Sequence, residues 1–200
     1  MKVVAGLGNP GPEYRRTPHN VGFETVELLA GDLGTDWKDV SRFQARVARV
    51  ERGAGAPWML VQPQTFMNLS GVCVAPILRY HGGSPQDLAV VVDDADLPPG
   101  RLRLRAGGSS GGHRGLASII EALGTESFFR IRIGVGRGDG GRDLAGHVLG
   151  RLPPAEAALV EQAKRAAADA VAWWIRFGAS EAMNRYNGWK AATPEGENRG

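Results

Sequence analysis

Lys2-Val3-Val4-Ala5-Gly6-Leu7-Gly8-Asn9-Pro10-Gly11-Pro12 stands near the start of the chain, with Pro18 shortly after it. Residues 2–5 centre on the β-branched pair Val3-Val4, run into glycine, and read as a strand. Gly6, Gly8 and Gly11 then match G-x-G-x-x-G, the spacing of dinucleotide-binding loops. That motif works only where a helix opens at the glycines and its N-terminus meets a pyrophosphate. A helix begun near Gly11 would hold Pro18 in its interior, at a cost of about 3 kcal/mol. The glycines therefore lead into a rigid, extended loop that presents Asn9, Tyr14 and His19. A nucleotide enzyme built on this loop fails on the same prolines.

Outward from this loop, short β-branched runs alternate with amphipathic stretches. Helical spacing recurs at 21–33, 71–80, 116–123, 155–177 and 180–186. Pro76 is expected to kink or bound the second of these. Strands are expected at 43–50, 58–61, 101–105 and 130–135, and at 88–92, a continuous apolar run of the kind covered on both faces. This alternation predicts a three-layer α/β/α domain with a central twisted sheet, and the hairpin-like pair 43–50 and 58–61 makes the sheet mixed. One domain is expected over 1–190, with 191–200 a disordered polar tail.

The 200 residues are 42% hydrophobic, enough to bury a core and exclude a disordered chain. The formal charge is +3, which permits a polyanionic partner without demanding one. Cys73 is the lone cysteine, so no internal disulfide and no cysteine-based zinc site is available. The apolar start is too short for a signal peptide, and no run approaches the roughly 18 apolar residues of a membrane helix. A soluble cytoplasmic protein with no membrane partner is expected.

Three polar clusters fall where strands end, which is where α/β sheets gather their ligands. Asn9, Tyr14, His19 and Asn20 follow the first strand; Thr65-Phe66-Met67-Asn68-Leu69-Ser70-Gly71 follows the strand ending near Val61; Asp93-Asp94-Ala95-Asp96 follows 88–92. A histidine can serve as general base on water, an aspartate can fix its tautomer, and asparagine amides can donate to an oxyanion. No G-x-S-x-G elbow is present and Cys73 sits in an apolar helix, so direct attack of water on an ester is the simplest chemistry. Asn68 or Ser70 could instead cap a helix, and the aspartates could form a solvated turn. His81, His113 and His147 share no ligand spacing, so no metal and no cofactor is expected.

Arg101, Arg103 and Arg105 alternate with Leu102 and Leu104, which puts the arginines on one face of a strand. Arg130 and Arg132 alternate in the same way. Between the two strands, Gly107-Gly108-Ser109-Ser110-Gly111-Gly112-His113-Arg114-Gly115 leads into a helix, an arrangement that can cradle phosphate. Nucleic-acid phosphates and a merely solvated face both fit these arginines.

Taken in order, Gly6 to Gly11, Thr17-Pro18-His19-Asn20-Val21-Gly22, Pro63 to Gly71, Asp93 to Gly100 and Gly111-Gly112-His113-Arg114-Gly115-Leu116 resemble the successive signatures of bacterial peptidyl-tRNA hydrolases. The resemblance covers about residues 1–190. It implies a monomeric α/β/α domain that hydrolyses the ester between a peptide and the 3′ ribose of tRNA. It further implies His19 as base and Asp93 as its orienting carboxylate, with Asn9 and Asn68 holding the substrate. Tyr14, Phe66 and Met67 would contact the 3′ end or the peptide, His113 would bind substrate, and Arg103, Arg105 and Arg132 would face tRNA phosphates. Arg114 stands where the family often has asparagine; arginine only donates and is always charged, so substrate binding is the role expected for it. A rival reading, an RNA-binding module without hydrolytic activity, draws only on Arg114.

Overall fold

The opening strand, β1 (Lys2–Gly6), is buried in the middle of a seven-stranded sheet. The computed structural model describes residues 1–51, 56–138 and 144–192, and of residues 144 and 145 only the backbone. The other strands are β2 (Trp37–Val40), β3 (Ala45–Val50), β4 (Trp58–Pro63), β5 (Leu88–Asp94), β6 (Leu102–Arg105) and β7 (Phe129–Gly134). Their order is β2-β3-β4-β1-β5-β7-β6. β4, β1, β5 and β7 pair in parallel, while β3 pairs antiparallel with both β4 and the edge strand β2, and the other edge strand, β6, pairs antiparallel with β7. The mixed three-layer sheet expected from the sequence is what forms.

The helices are α1 (Val21–Leu33), α2 (Ser70–Tyr80), α3 (Arg114–Leu123), α4 (Leu144–Val148), α5 (Pro154–Phe177) and α6 (Ala179–Tyr186). One face of the sheet packs on α1, α5 and α6 through Val26, Val171 and Trp174; Trp174 stacks on Phe129 at 5.6 Å. The other face packs on α2 and α3 through Cys73, Val74, Leu116 and Ile119. The apolar run in β5 is wholly buried, as a central strand requires.

Several expectations need correction. Trp37–Val40 forms an unforeseen edge strand, because two of its four side chains are exposed and charged and give no apolar signal. Pro76 does not end α2, which continues to Tyr80. Arg130 is not on a solvated basic face: it is 1% exposed and donates to the carbonyls of Gly108, Ser109 and Glu126. Burial and the neighbouring Arg132 lower its guanidinium to about 10. At the expected disordered tail, Ala191 N–H donates to the Gly100 carbonyl and Ala192 pairs with the Gln162 amide. Residues 193–200 lie outside the described residues.

Candidate active site

The loop after β1 is built by its prolines and anchored from behind. Pro12 and Pro18 each open a short 3-10 turn, where a missing N–H costs nothing. Arg16 takes a left-handed φ of 62°, and its N–H donates to Glu24 Oε1 at 3.1 Å. The other oxygen of Glu24 accepts from the buried Lys164 of α5 at 2.5 Å. Gly22 lets α1 begin hard against the strand ends: a Cβ there would lie 2.3 Å from the Val91 carbonyl oxygen and 2.5 Å from Leu7 N. His19, one turn before α1, is thereby held over the end of β5.

His19 Nδ1 lies 2.8 Å from Asp93 Oδ1, and His113 Nε2 lies 3.0 Å from the same oxygen. The network assigns both tautomers. His113 Nδ1 accepts from the N–H groups of Gly115 and Leu116, so its proton is on Nε2 and is given to Asp93. His19 Nδ1–H donates to the same acceptor, which leaves His19 Nε2 with a free lone pair, the form of a general base. Full burial penalises the Asp93 charge, but the hydrogen bonds it accepts from the His113 and His19 N–H groups outweigh it. They hold the carboxyl well below the usual carboxylate range.

Asn9 adds a donor. Its Oδ1 accepts from Met67 N–H at 2.8 Å, so its amide NH₂ is the end left over. Its backbone is clamped by Asn20, whose Oδ1 accepts from Asn9 N–H and whose Nδ2 donates to the Asn9 carbonyl. Asn68 is exposed and caps no helix; Leu69 holds the N-cap position of α2 and Ser70 Oγ donates to the Met67 carbonyl. Cys73 is buried, and burial pushes its thiol up to about 12, so it offers no nucleophile.

These residues line a cleft of about 520 Å³ that contains Asn9, His19, Phe66, Met67, Asn68, Asp93, His113, Arg114 and Arg132. The sequence thus places most expected site residues together. Phe66 is 56% exposed in its wall, whereas Met67 is 4% exposed and mainly packs inward. His113 borders the cleft, but both its ring nitrogens are spent inside the protein. Arg132 donates to Asp94 Oδ2 and to the Ser110 carbonyl. Arg103 and Arg105 are exposed on β6, away from the cleft lining, and Tyr14 is half-buried and also outside it.

Arg137, Val148 and Leu149 line the cleft and were not foreseen. Arg137 pairs with Asp96 across its mouth. No motif marks these residues; only the fold brings them to Asp93. The glycine-rich loop is tied inward to the two arginines of β7. Its carbonyls at Gly108, Ser109 and Ser110 turn inward to Arg130 and Arg132, and the first N–H groups of α3 are taken by His113.

His19, Asp93 and His113 bring their donor atoms within 4.8 Å of one another, a grouping that suits a metal ion in principle. His19 Nδ1, Asp93 Oδ1 and His113 Nε2 are joined to one another by the two hydrogen bonds. A larger hollow of about 1030 Å³ lies behind the loop, between α1 and α5. Its acidic groups Glu24, Glu27, Asp32 and Glu161 are each paired to a cation.

The sequence profile of a family described as peptidyl-tRNA hydrolase matches residues 3–195. The chain is 46% identical to a peptidyl-tRNA hydrolase of Synechococcus sp. over 187 residues, 94% of this chain and 83% of that one. It is 44% identical to that of Brevibacillus brevis over 192 residues, 95% of this chain and all of that one. Its fold is similar to the crystal structure of peptidyl-tRNA hydrolase from Acinetobacter baumannii, with a TM-score of 0.90 at 36% identity, over 96% of this chain and 97% of that one. With a profile match along nearly its whole length and relatives this similar, the chain belongs to the peptidyl-tRNA hydrolase family.

Proposed function

We propose that this protein hydrolyses the ester joining a peptide to the 3′ ribose of tRNA, and so recycles tRNA from prematurely released peptidyl-tRNA. The observation that carries the reading is His19, tied through Nδ1 to Asp93, leaving Nε2 unengaged, and lining a cleft that Asn9 also lines. His19 Nε2 takes a proton from water as the water oxygen bonds to the ester carbonyl carbon. Negative charge gathers on the carbonyl oxygen, where Asn9 Nδ2 and the Asn68 amide donate. The tetrahedral intermediate then expels the ribose 3′ oxygen, which takes the proton back from His19. Asp93 stays ionised and stabilises the imidazolium between the two steps.

Phe66, Met67, Tyr14 and Arg114 are assigned to the peptide and the 3′-terminal nucleotide. Arg103, Arg105 and Arg132 are assigned to phosphates of the acceptor arm. His113 serves the site through Asp93. No cofactor enters the scheme, and the protein acts as a monomer in the cytoplasm. Hydrolysis of N-acetylated aminoacyl-tRNA in EDTA, beside the free-amine form, tests the reading. Cleavage of the acetylated substrate is expected; tight tRNA binding without cleavage would favour a binding module instead.

A further inference from the structure

A surface helix ordinarily turns charged residues to solvent. α2 does so only in its last turn, at Arg79: no Asp, Glu, Lys or Arg stands between Arg52 and Arg79. Its inner side packs Cys73, Val74, Ile77 and Leu78 in the core. Its outer side shows Leu69 at 46% exposure and Val72 at 54%, with Pro76 exposed after them, and ends at Tyr80, 60% exposed, whose ring packs on Phe43 and carries the Arg42 guanidinium at 4.1 Å. At 3.6 residues per turn Leu69, Val72, Pro76 and Tyr80 fall within about 80° of the helix circumference and extend for roughly 16 Å. Pro76 has no N–H to give the Val72 carbonyl, so the stripe also carries a backbone acceptor without its helical donor. Contiguous apolar surface of this kind marks a contact site.

The stripe begins at the cleft. Phe66, in the cleft wall, stands just before Leu69, and the stripe leads away from it. It also leaves in the opposite direction from the basic edge. From the ends of β1 and β5, where Asn9 and Asp93 sit, the sheet order leads one way through β7 to β6 with Arg103 and Arg105. The other way leads through β4 to Phe66 and α2. An ester between a polyanion and a peptide must send its two halves apart, and the charged half is drawn to the arginines.

We propose that the outer face of α2 is the track for the peptide half of the substrate, with apolar side chains lying on Leu69, Val72 and Pro76. The inference rests on the hydrolase reading above. At about 3.3 Å per extended residue, the stripe accommodates about five residues. Turnover therefore depends on the apolar character of the peptide beyond its first residue, and the gain levels off near five.

The test compares kcat/KM for N-acetyl-alanyl-tRNA with tRNAs carrying five-residue acetylated peptides, either leucine-rich or glycine-rich, all ending in the same ester-linked alanine. The wild type is expected to prefer the leucine-rich peptide over the glycine-rich one by about tenfold, the worth of one half-buried aliphatic side chain. Val72→Glu, an exposed change that leaves the fold intact by circular dichroism, is expected to lose that preference while cleaving N-acetyl-alanyl-tRNA at the wild-type rate. Leu69→Gln serves as a second variant. Equal rates on the two long peptides, or a preference that survives in both variants, would overturn the proposal. A concentration-dependent dimer of the wild type that Val72→Glu abolishes would assign the face to a second copy and likewise overturn it. Failure of the wild type on every acetylated substrate would instead sink the hydrolase reading, and the peptide track with it.

Discussion

The rings of His19 and His113 lie 5.1 Å apart, centroid to centroid, and one oxygen of Asp93 takes a hydrogen bond from each. His113 Nδ1 is fixed as an acceptor by two backbone N–H groups of α3, so its Nε2–H is the end that reaches Asp93. On the proposed reading His113 is a positioning residue, steadying the carboxylate that steadies the base.

Removing that support should slow turnover without loosening substrate binding. His113→Phe keeps the ring but not the donor, and kcat is expected to fall about 10- to 100-fold, the usual scale for an outer hydrogen-bond partner. KM should stay near the wild-type value. His113→Gln, which retains an N–H, should recover part of the loss. Steady-state kinetics on acetylated aminoacyl-tRNA check this, and a rise in KM with unchanged kcat would mean that His113 instead binds substrate.

The carboxyl of Asp93 titrates lower in the folded protein than in the unfolded chain. Its contribution to stability is therefore complete above the unfolded value of about 3.9, and disappears as pH falls through the lower folded value. Urea unfolding from pH 7 to pH 2 should show a loss of stability that begins near pH 4. Asp93→Asn should be less stable at pH 7 and should show a smaller fall over the same range.

Gly22 should tolerate no side chain. A Cβ would meet the backbone of both Leu7 and Val91, atoms that belong to the crossing of α1 over the strand ends. Gly22→Ala is expected to cost about 3 kcal/mol or more in urea unfolding, above the usual cost of overpacking, because backbone rather than side chains must move. Gly31→Ala, at a position in the same helix with open space around it, is the control and should be neutral or stabilising.

Arg103 and Arg105 are exposed on β6 as their alternation with Leu102 and Leu104 foretold. If each holds one phosphate, each change to alanine should weaken tRNA binding and reduce the slope of log K against log salt by about 0.7–0.9. Unchanged affinity and slope would make the stripe a solvated face.

Much of this architecture was legible from local pattern. The apolar run of β5 and the strict alternation of β6 each named their strand, and Pro10, Pro12 and Pro18 disposed of the dinucleotide loop. His19, Asp93 and Asn9 were legible as strand-end polar residues, though their convergence needed the sheet order. What escaped has physical reasons. Period two says that Arg130 shares a face with Arg132, but not that the Gly108–Ser109 carbonyls fold over that face and bury it. The tetrapeptide Trp37–Val40 pairs as an edge strand on backbone hydrogen bonds, which leave little trace in side-chain type. His113 read as a substrate contact because nothing in a linear motif shows that the N–H groups of Gly115 and Leu116 claim its second nitrogen.

The proposed mechanism stands on His19 as the base. The most direct measurement is the single-turnover rate of His19→Ala on saturating N-acetylated aminoacyl-tRNA, with thermal unfolding recorded on the same sample. The rate is expected to drop by about 10²- to 10⁴-fold, the share general base catalysis ordinarily supplies, while the protein stays folded and still binds tRNA. A folded His19→Ala protein that cleaves the ester at the wild-type rate would contradict the account.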